Sequence, residues 1–316
     1  MPAGSVFARG AIGGTVRAVL FDDGKLKAAG FSAKQIEKLR QRQRGGTSGQ
    51  RGYTYQRRYA LLRALELAFS NLQARLQMEA LCPVDDVVVT EANRFEFAQC
   101  KVSDTETWGG NDNKLAKEFR DQRRLLMKSG IAEANISLKL VVADDTQQVR
   151  LAKNTPATMK LCTTVEHFPL PIPEHHPWQV KRLADALDAL LPPVLRGVSM
   201  REELFKELLH AAGEPWQSAT VEELLDAAGR RTDLPLAYPR AKPRSVTPQL
   251  WAQAEAILAA IPGLSIDLAG GVCCYSAPPE SGFVARCDTA RFARFVNDVI
   301  ATRPRTMDAF LEVRPT

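Results

Sequence analysis

Along residues 53–77 the apolar positions Tyr59, Leu62, Leu65, Phe69, Leu72 and Leu76 recur at mixed three- and four-residue spacings. That period is one face of an α-helix, so the stretch predicts an amphipathic helix that opens a domain. After a short segment at residues 78–81 the pattern becomes contiguous and β-branched. DVVVTEA, starting at Asp86, and FEFAQCKV, from Phe95 to Val102, predict two strands. The turn between them, at Asn93 and Arg94, is too short for anything but an antiparallel hairpin. A polar loop follows over residues 103–113, then NKLAKEFRDQRRLLMKSG predicts a helix closed by Gly130, and ISLKLVVA from Ile136 a further buried strand. The order helix, weak strand, strand, strand, helix, strand is that of an α/β fold with helices on a short mixed sheet.

The pattern differs on either side of this unit. Residues 1–45 read as a basic arm: a Gly-rich start, an apolar stretch near Val16–Phe21, and the helix-like AKQIEKLRQRQR ending at Gly45 and Gly46. Beyond residue 150, FPLPIPEHHP reads as a linker, and its pair His175 and His176 as part of that turn-rich stretch. WQVKRLADALDALL, two segments opened by the capping boxes Ser199/Glu202 and Thr220/Glu223, and TPQLWAQAEAILAAI predict helices. A strand-like patch, GVCCYSAPPESGFVARC, interrupts them. The expected division is an arm over 1–45, an α/β unit over 46–150 and a mainly helical regulatory or assembly domain over 151–316.

Composition narrows the class. The 316 residues are 45% hydrophobic and 25% charged, with no run of 18 apolar residues and no secretory signal pattern at the start. A soluble, cytoplasmic protein without a membrane partner is expected. The six cysteines show no C-x-x-C spacing, so neither a zinc ribbon nor a thioredoxin-like motif is present, and reduced, mostly buried thiols are expected. A net charge of +6 favours an anionic partner. From residue 34 to residue 58, Lys34, Lys38, Arg40, Arg42, Arg44, Arg51, Arg57 and Arg58 face one acid, Glu37. Such a run fits either a solvated helix face or a phosphate-backbone contact.

Chemistry concentrates on the hairpin. Side chains alternate along FAQCKV, so Gln99 and Lys101 share one face while Cys100 and Val102 take the other. Asp86 begins the neighbouring strand with twelve residues between it and Gln99, and the hairpin can set the two side by side. The Asp86 carboxylate, Gln99 amide oxygen and Cys100 backbone carbonyl form a hard-oxygen set suited to Mg²⁺, or Mn²⁺ in its place. Lys101 beside them can orient or deprotonate water, or offset charge at a phosphorus centre. Asp85 is the alternative ligand, because the pattern alone does not fix register. Glu79 and Glu91 are further ligand candidates, and Trp108 and Lys114 candidate DNA contacts, with Trp108 better suited to packing.

GTSGQRGYTYQRRYALL, PVDDVVV and FAQCKVSDTETWG, in that order, resemble the nuclease domain of the CD-NTase-associated double-stranded DNA endonucleases of bacterial anti-phage defence. That family shows a G-x-x-Y-Q helix start, an acidic D-D strand and a Q-x-K strand. The resemblance spans roughly residues 46–145, under a third of the chain. It implies a restriction-endonuclease-like core of the PD-(D/E)xK type, in its Q-x-K variant, cutting duplex DNA with Mg²⁺. Asp86, Gln99 and Lys101 would be catalytic and Gln56 would line the site. Lys38, Arg40, Arg42, Arg44, Arg51 and Arg57 would hold the DNA backbone. It further implies a sensor or ATPase partner protein and leaves room for a homo-oligomer. Gln99 replaces the commoner acid of the wider superfamily, one negative charge fewer for a metal. Two other readings remain: a noncatalytic DNA-binding scaffold with an inactive nuclease fold, and a nuclease for RNA or single strands.

Overall fold

A computed structural model describes residues 21–45, 50–109, 114–170, 180–192, 195–213, 218–232, 236–238, 246–269, 272–277, 281–286 and 290–313. The apolar stretch near Val16 and the His175/His176 pair lie outside these. Two helices, α1 (Asp23–Ala28) and α2 (Ala33–Gly45), lead into the long helix α3 (Gln50–Leu67). Strands β1 (Arg75–Met78), β2 (Val87–Thr90) and β3 (Phe95–Lys101) form an antiparallel meander. Helix α4 (Lys114–Lys128) crosses to β4 (Ile136–Val142), and α5 (Asp145–Lys153) to β5 (Thr163–His167), both strands parallel to β3. Helices α6 (Lys181–Leu190), α7 (Val198–Ala212) and α8 (Val221–Thr232) follow, and the two-residue strand β6 (Ala219–Thr220) pairs with β1. The resulting mixed sheet has six strands in the order β5-β4-β3-β2-β1-β6. Among the described residues, no helix is long and apolar enough to cross a membrane.

Both faces of this sheet are buried, which is why its central strands read as continuous apolar runs. Val88, Phe97, Leu138, Leu140 and Val142 face a core closed by α1, α2, α4 and α5. Val87, Val89, Ala98, Cys100 and Val141 face the other, closed by α3, α6, α7 and α8. A third cluster lies further along the chain, formed by α9 (Pro248–Leu258), α10 (Ala290–Thr302) and α11 (Met307–Val313) with the meander β7 (Ser265–Ala269), β8 (Val272–Ala277) and β9 (Ser281–Arg286).

Several expectations need correcting. The first long helix ends at Leu67 rather than near residue 77, and Leu76 lies on β1. Leu76 and Met78 alternate with period two, but Leu76 also fits the preceding helical spacing, so the periodicity overran the turn. The segment from residue 21 is not a loose arm: Phe21, Leu26, Phe31, Ile36 and Leu39 are buried in the α4-side core. Residue 150 falls inside α5, and apolar side chains as late as Tyr238 complete the α3-side core. The packing therefore divides the chain after about residue 238, not at 150. Of the two capping boxes, Thr220/Glu223 forms reciprocally, at 2.7 and 3.1 Å. Ser199 instead lies inside α7, whose N-cap is Gly197.

An ion-pair network ties the α3 side together. Arg63 of α3 donates to Glu96 of β3 at 2.8 Å, and Lys139 of β4 bridges Glu96 at 3.0 Å and Glu166 of β5 at 3.3 Å. Tyr59 donates to Glu166, which also pairs with Arg182 of α6. Burial alone would raise the Glu166 carboxyl. The Lys139 and Arg182 charges outweigh it and, with the Arg182 and Tyr59 hydrogen bonds, hold the group below the usual carboxylate range. A depressed folded pKa gives stability that is present above the unfolded value near ~4.3 and lost as pH falls through the folded one. Glu166→Gln is expected to cost on the order of 1–3 kcal/mol at pH 7 by urea unfolding. The gap to wild type should narrow below about pH 4, and a gap independent of pH would refute this role for Glu166.

Candidate active site

The β2–β3 register pairs Val87 with Ala98, so the next step sets Asp86 directly opposite Gln99. Val87 and Ala98 face the α3-side core, and alternation turns Asp86 and Gln99 to the α4 side. The Gln99 amide nitrogen donates to Asp86 Oδ2 at 2.6 Å, and the Cys100 backbone N–H donates to the same oxygen at 2.6 Å. Asp86 is 5% exposed and Gln99 2%. A carboxylate so desolvated stays charged at low cost only when such donors replace its water. Lys101, partly buried, follows two positions after Gln99 and shares its face by alternation.

The approach to Asp86 is a shaped loop. Glu79, just past β1, has φ +51°, a left-handed conformation rare for a glutamate. Its N–H donates to the Asp86 carbonyl at 3.4 Å, and the Ala80 N–H to the Asp85 carbonyl at 3.0 Å. The Cys82 thiol donates to the Val84 carbonyl at 3.0 Å, while the Val84 N–H donates to Oε1 of Gln122 on α4 at 3.2 Å. Gln122 is fully buried. Sequence reasoning passed over it, although a signal was there. Leu115, Phe119, Gln122 and Leu126 follow helical spacing, and a glutamine in an apolar stripe needs a partner.

Electrostatics at this end of the sheet are those of a dry, acidic site. Burial pushes the Cys100 thiol well up, and the Asp86 charge adds to the shift. Cys100 is therefore a poor nucleophile. Among the described residues no three of His, Cys, Asp and Glu gather as metal ligands, so a cation here would have to draw on an amide or carbonyl oxygen as well. The donor set meets that need. Oε1 of Gln99 is buried without a hydrogen-bond partner, and rotation of the amide would direct it at the ion beside Asp86.

Other candidates stand elsewhere. Gln99 and Cys100 direct their donors to Asp86 rather than Asp85, which is itself buried. The Cys100 group that meets Asp86 is its amide, not the carbonyl expected as a ligand. Gln56 lies on α3, the helix covering the opposite sheet face, and its buried Oε1 makes no hydrogen bond. Glu91 sits at the far end of the hairpin and accepts from Asn71 at 2.8 Å, which removes it from the site. Trp108 is a packing anchor, 4% exposed, donating to the Leu151 carbonyl at 2.8 Å and packed edge-on to Phe119. Lys38 is exposed on α2 and Arg40 pairs with Asp23 at 2.9 Å. Arg57 is placed differently from the DNA contact expected of it. It donates to the Leu209 and Gly213 carbonyls at 2.9 and 3.3 Å, capping the C-terminal end of α7. The side chains of Arg42, Arg44, Arg51 and Lys114 lie outside the described residues.

Residues 44–187, a little under half of the chain, match the family model of the Cap4 dsDNA endonuclease domain. This segment belongs to that family. The match begins at the end of α2 and runs through α3, all five strands from β1 to β5, and most of α6. It contains the whole Asp86–Gln99–Lys101 arrangement and the Gln122 clamp. No curated protein and no solved structure matches the chain.

Because Gln99 meets Asp86 as a donor, Gln99→Glu would set two carboxylates face to face in a dry site. One of the pair should then titrate above its unfolded value, so the repulsion is present at pH 7 and relieved as pH falls through that raised pKa. With chelator present, the variant is expected to lose about 1–3 kcal/mol at pH 7.5 and to recover most of it by pH 5. A deficit of equal size at both pH values in thermal melts would show that the pair is not in contact.

Proposed function

We propose that this chain is a Mg²⁺-dependent endonuclease that hydrolyses phosphodiester bonds of double-stranded DNA, acting in the cytoplasm as the effector of a bacterial anti-phage defence system. The carrying observation is the buried Asp86–Gln99 pair with Lys101 on the same face, set within a Cap4-type dsDNA endonuclease domain. Asp86 and Gln99 through Oε1 would hold Mg²⁺, with Mn²⁺ as a substitute. Bound there, the ion would polarise the scissile phosphate and acidify a water. Lys101 would orient the attacking water and offset the negative charge that builds on the non-bridging oxygens as the P–O bond to the leaving sugar breaks. Gln122 and the Cys82 thiol keep the loop before Asp86 in one shape, so the carboxylate is preorganised. The exposed Lys38 and the neighbouring arginines of α2 supply sequence-independent, salt-sensitive attraction to the DNA backbone. The region beyond the matched segment serves regulation or assembly, with a sensor or ATPase protein or further copies of the chain as partners.

A second reading, a noncatalytic DNA-binding scaffold, is favoured by one observation: Oδ2 of Asp86 is engaged by two protein donors, the Gln99 amide and the Cys100 N–H. Plasmid cleavage separates the two. Supercoiled DNA incubated with the protein, with and without its neighbouring-gene partner, should be cut in Mg²⁺ and left intact in EDTA. Lys101→Ala should lower the rate on the order of 10²–10³-fold with DNA retention unchanged. Retention of DNA without cutting under every partner and metal condition would establish the scaffold.

A further inference from the structure

Asp86 alone sets one negative charge against a divalent cation, since Gln99 contributes only an amide. The sheet register brings a second carboxylate into the same row. Met78 pairs with Val87 and Val87 with Ala98, all three facing the α3-side core. One step further along, the row is Glu79, Asp86 and Gln99, with Asp86 and Gln99 on the opposite face and Glu79 at the turn that ends β1. The Glu79 N–H to Asp86 carbonyl bond, 3.4 Å, carries the pairing through that step. Oε1 of Glu79 is shielded from solvent, as is Oε1 of Gln99, whose amide has no partner on that oxygen although the residue is 2% exposed.

Glu79 also occupies this place at a conformational cost. Its φ of +51° lies in the region that glycine and asparagine adopt readily and a glutamate does not. A strained backbone that holds a solvent-shielded carboxylate at the end of a buried polar row is the arrangement expected of a working group.

We infer that Glu79 is the third oxygen donor of the metal site, supplying across β1–β2 the charge that Gln99 does not supply across β2–β3. This rests on the metal-dependent reading above. The resulting set is two carboxylates and one amide oxygen from three adjacent strands, with a net charge that balances a divalent cation and leaves coordination positions for water and phosphate.

The test is Mn²⁺ binding to the full chain without DNA, by calorimetric titration, alongside the melting temperature with and without the ion. Glu79→Gln should weaken Mn²⁺ binding on the order of tenfold or more, and the double variant Glu79→Gln/Gln99→Glu should restore it by moving the carboxylate from the end of β1 to β3, on the other side of Asp86. Glu79→Gly relieves the positive φ, so its metal-free melting temperature should equal or exceed that of wild type while the rise caused by Mn²⁺ shrinks. This variant decides the matter if Glu79→Gln folds poorly. Wild-type Mn²⁺ affinity in both Glu79 variants, with binding lost in Asp86→Asn, would overturn the role of Glu79 and leave the metal-dependent reading standing. Mn²⁺ binding absent from wild type, or unaffected by Asp86→Asn, would overturn both.

Discussion

The cross-strand hydrogen bond from Gln99 to Asp86 is the contact on which the site depends, and it exists only in one register. A slip of β3 by one residue against β2 would turn Gln99 into the apolar α3-side core, push Ala98 out of it and leave Asp86 without its partner. Because both faces of the sheet are packed, no such slip is tolerated. The site is therefore a consequence of burial on both sides. The same alternation that sends Val87, Ala98 and Cys100 to one core sends Asp86, Gln99 and Lys101 toward the other, where that core ends and polar side chains take over.

Each layer of the fold acts on that row. On the α4 side, Gln122 reaches from a helix that also buries Leu115, Phe119, Leu125 and Leu126 and holds the Val84 amide, fixing the chain just before Asp86. Helices α1 and α2 close the same core, and Lys38 and Leu39 of α2 line a cleft with Pro83 of the Asp86 loop. The charged surface of α2 thus lies beside the loop that carries the carboxylates. On the α3 side, Glu96, Lys139 and Glu166 form a charged row across β3, β4 and β5, balanced by Arg63 and Arg182. Exchanging one partner of such a row for an apolar residue strands the rest, so the network fixes which helices sit on this face more than it adds net stability.

Much of this was legible in the chain. The hairpin, the parallel return through α4 to β4, the Gly130 stop with its φ of +83° and the Thr220/Glu223 box all follow from local pattern. What was not legible came from contacts distant in sequence. Residues 33–45 look like a solvated basic helix because two inward apolar residues, Ile36 and Leu39, are few beside so many charges; they are buried by a core built mainly from residues after 80. Strand β6 is two residues long and carries no strand pattern, yet it caps the sheet edge through β1. Strand β7 was missed because SIDLA follows a helix and is short, whereas β8 and β9 read as strands from their β-branched and aromatic content. At the site, Gln99 and Lys101 were readable from alternation, and the choice of Asp86 over Asp85 waited on register.

The amide at position 99 also sets the charge balance of the row. An acid there would face Asp86 as a like charge, and the folded protein would need a bound cation, a proton or a displaced strand to relieve the repulsion. With glutamine, Asp86 is met by two donors, the Gln99 amide and the Cys100 N–H, each at 2.6 Å. On the metal-dependent reading proposed above, a cation would have to break the Gln99–Asp86 bond and rotate the amide before gaining the amide oxygen. On the same proposal, the charge that glutamine lacks would come from Glu79, across β1–β2 from Asp86. In that division of labour the donors of β3 would hold the Asp86 carboxylate in place, and the turn after β1 would add the second negative charge.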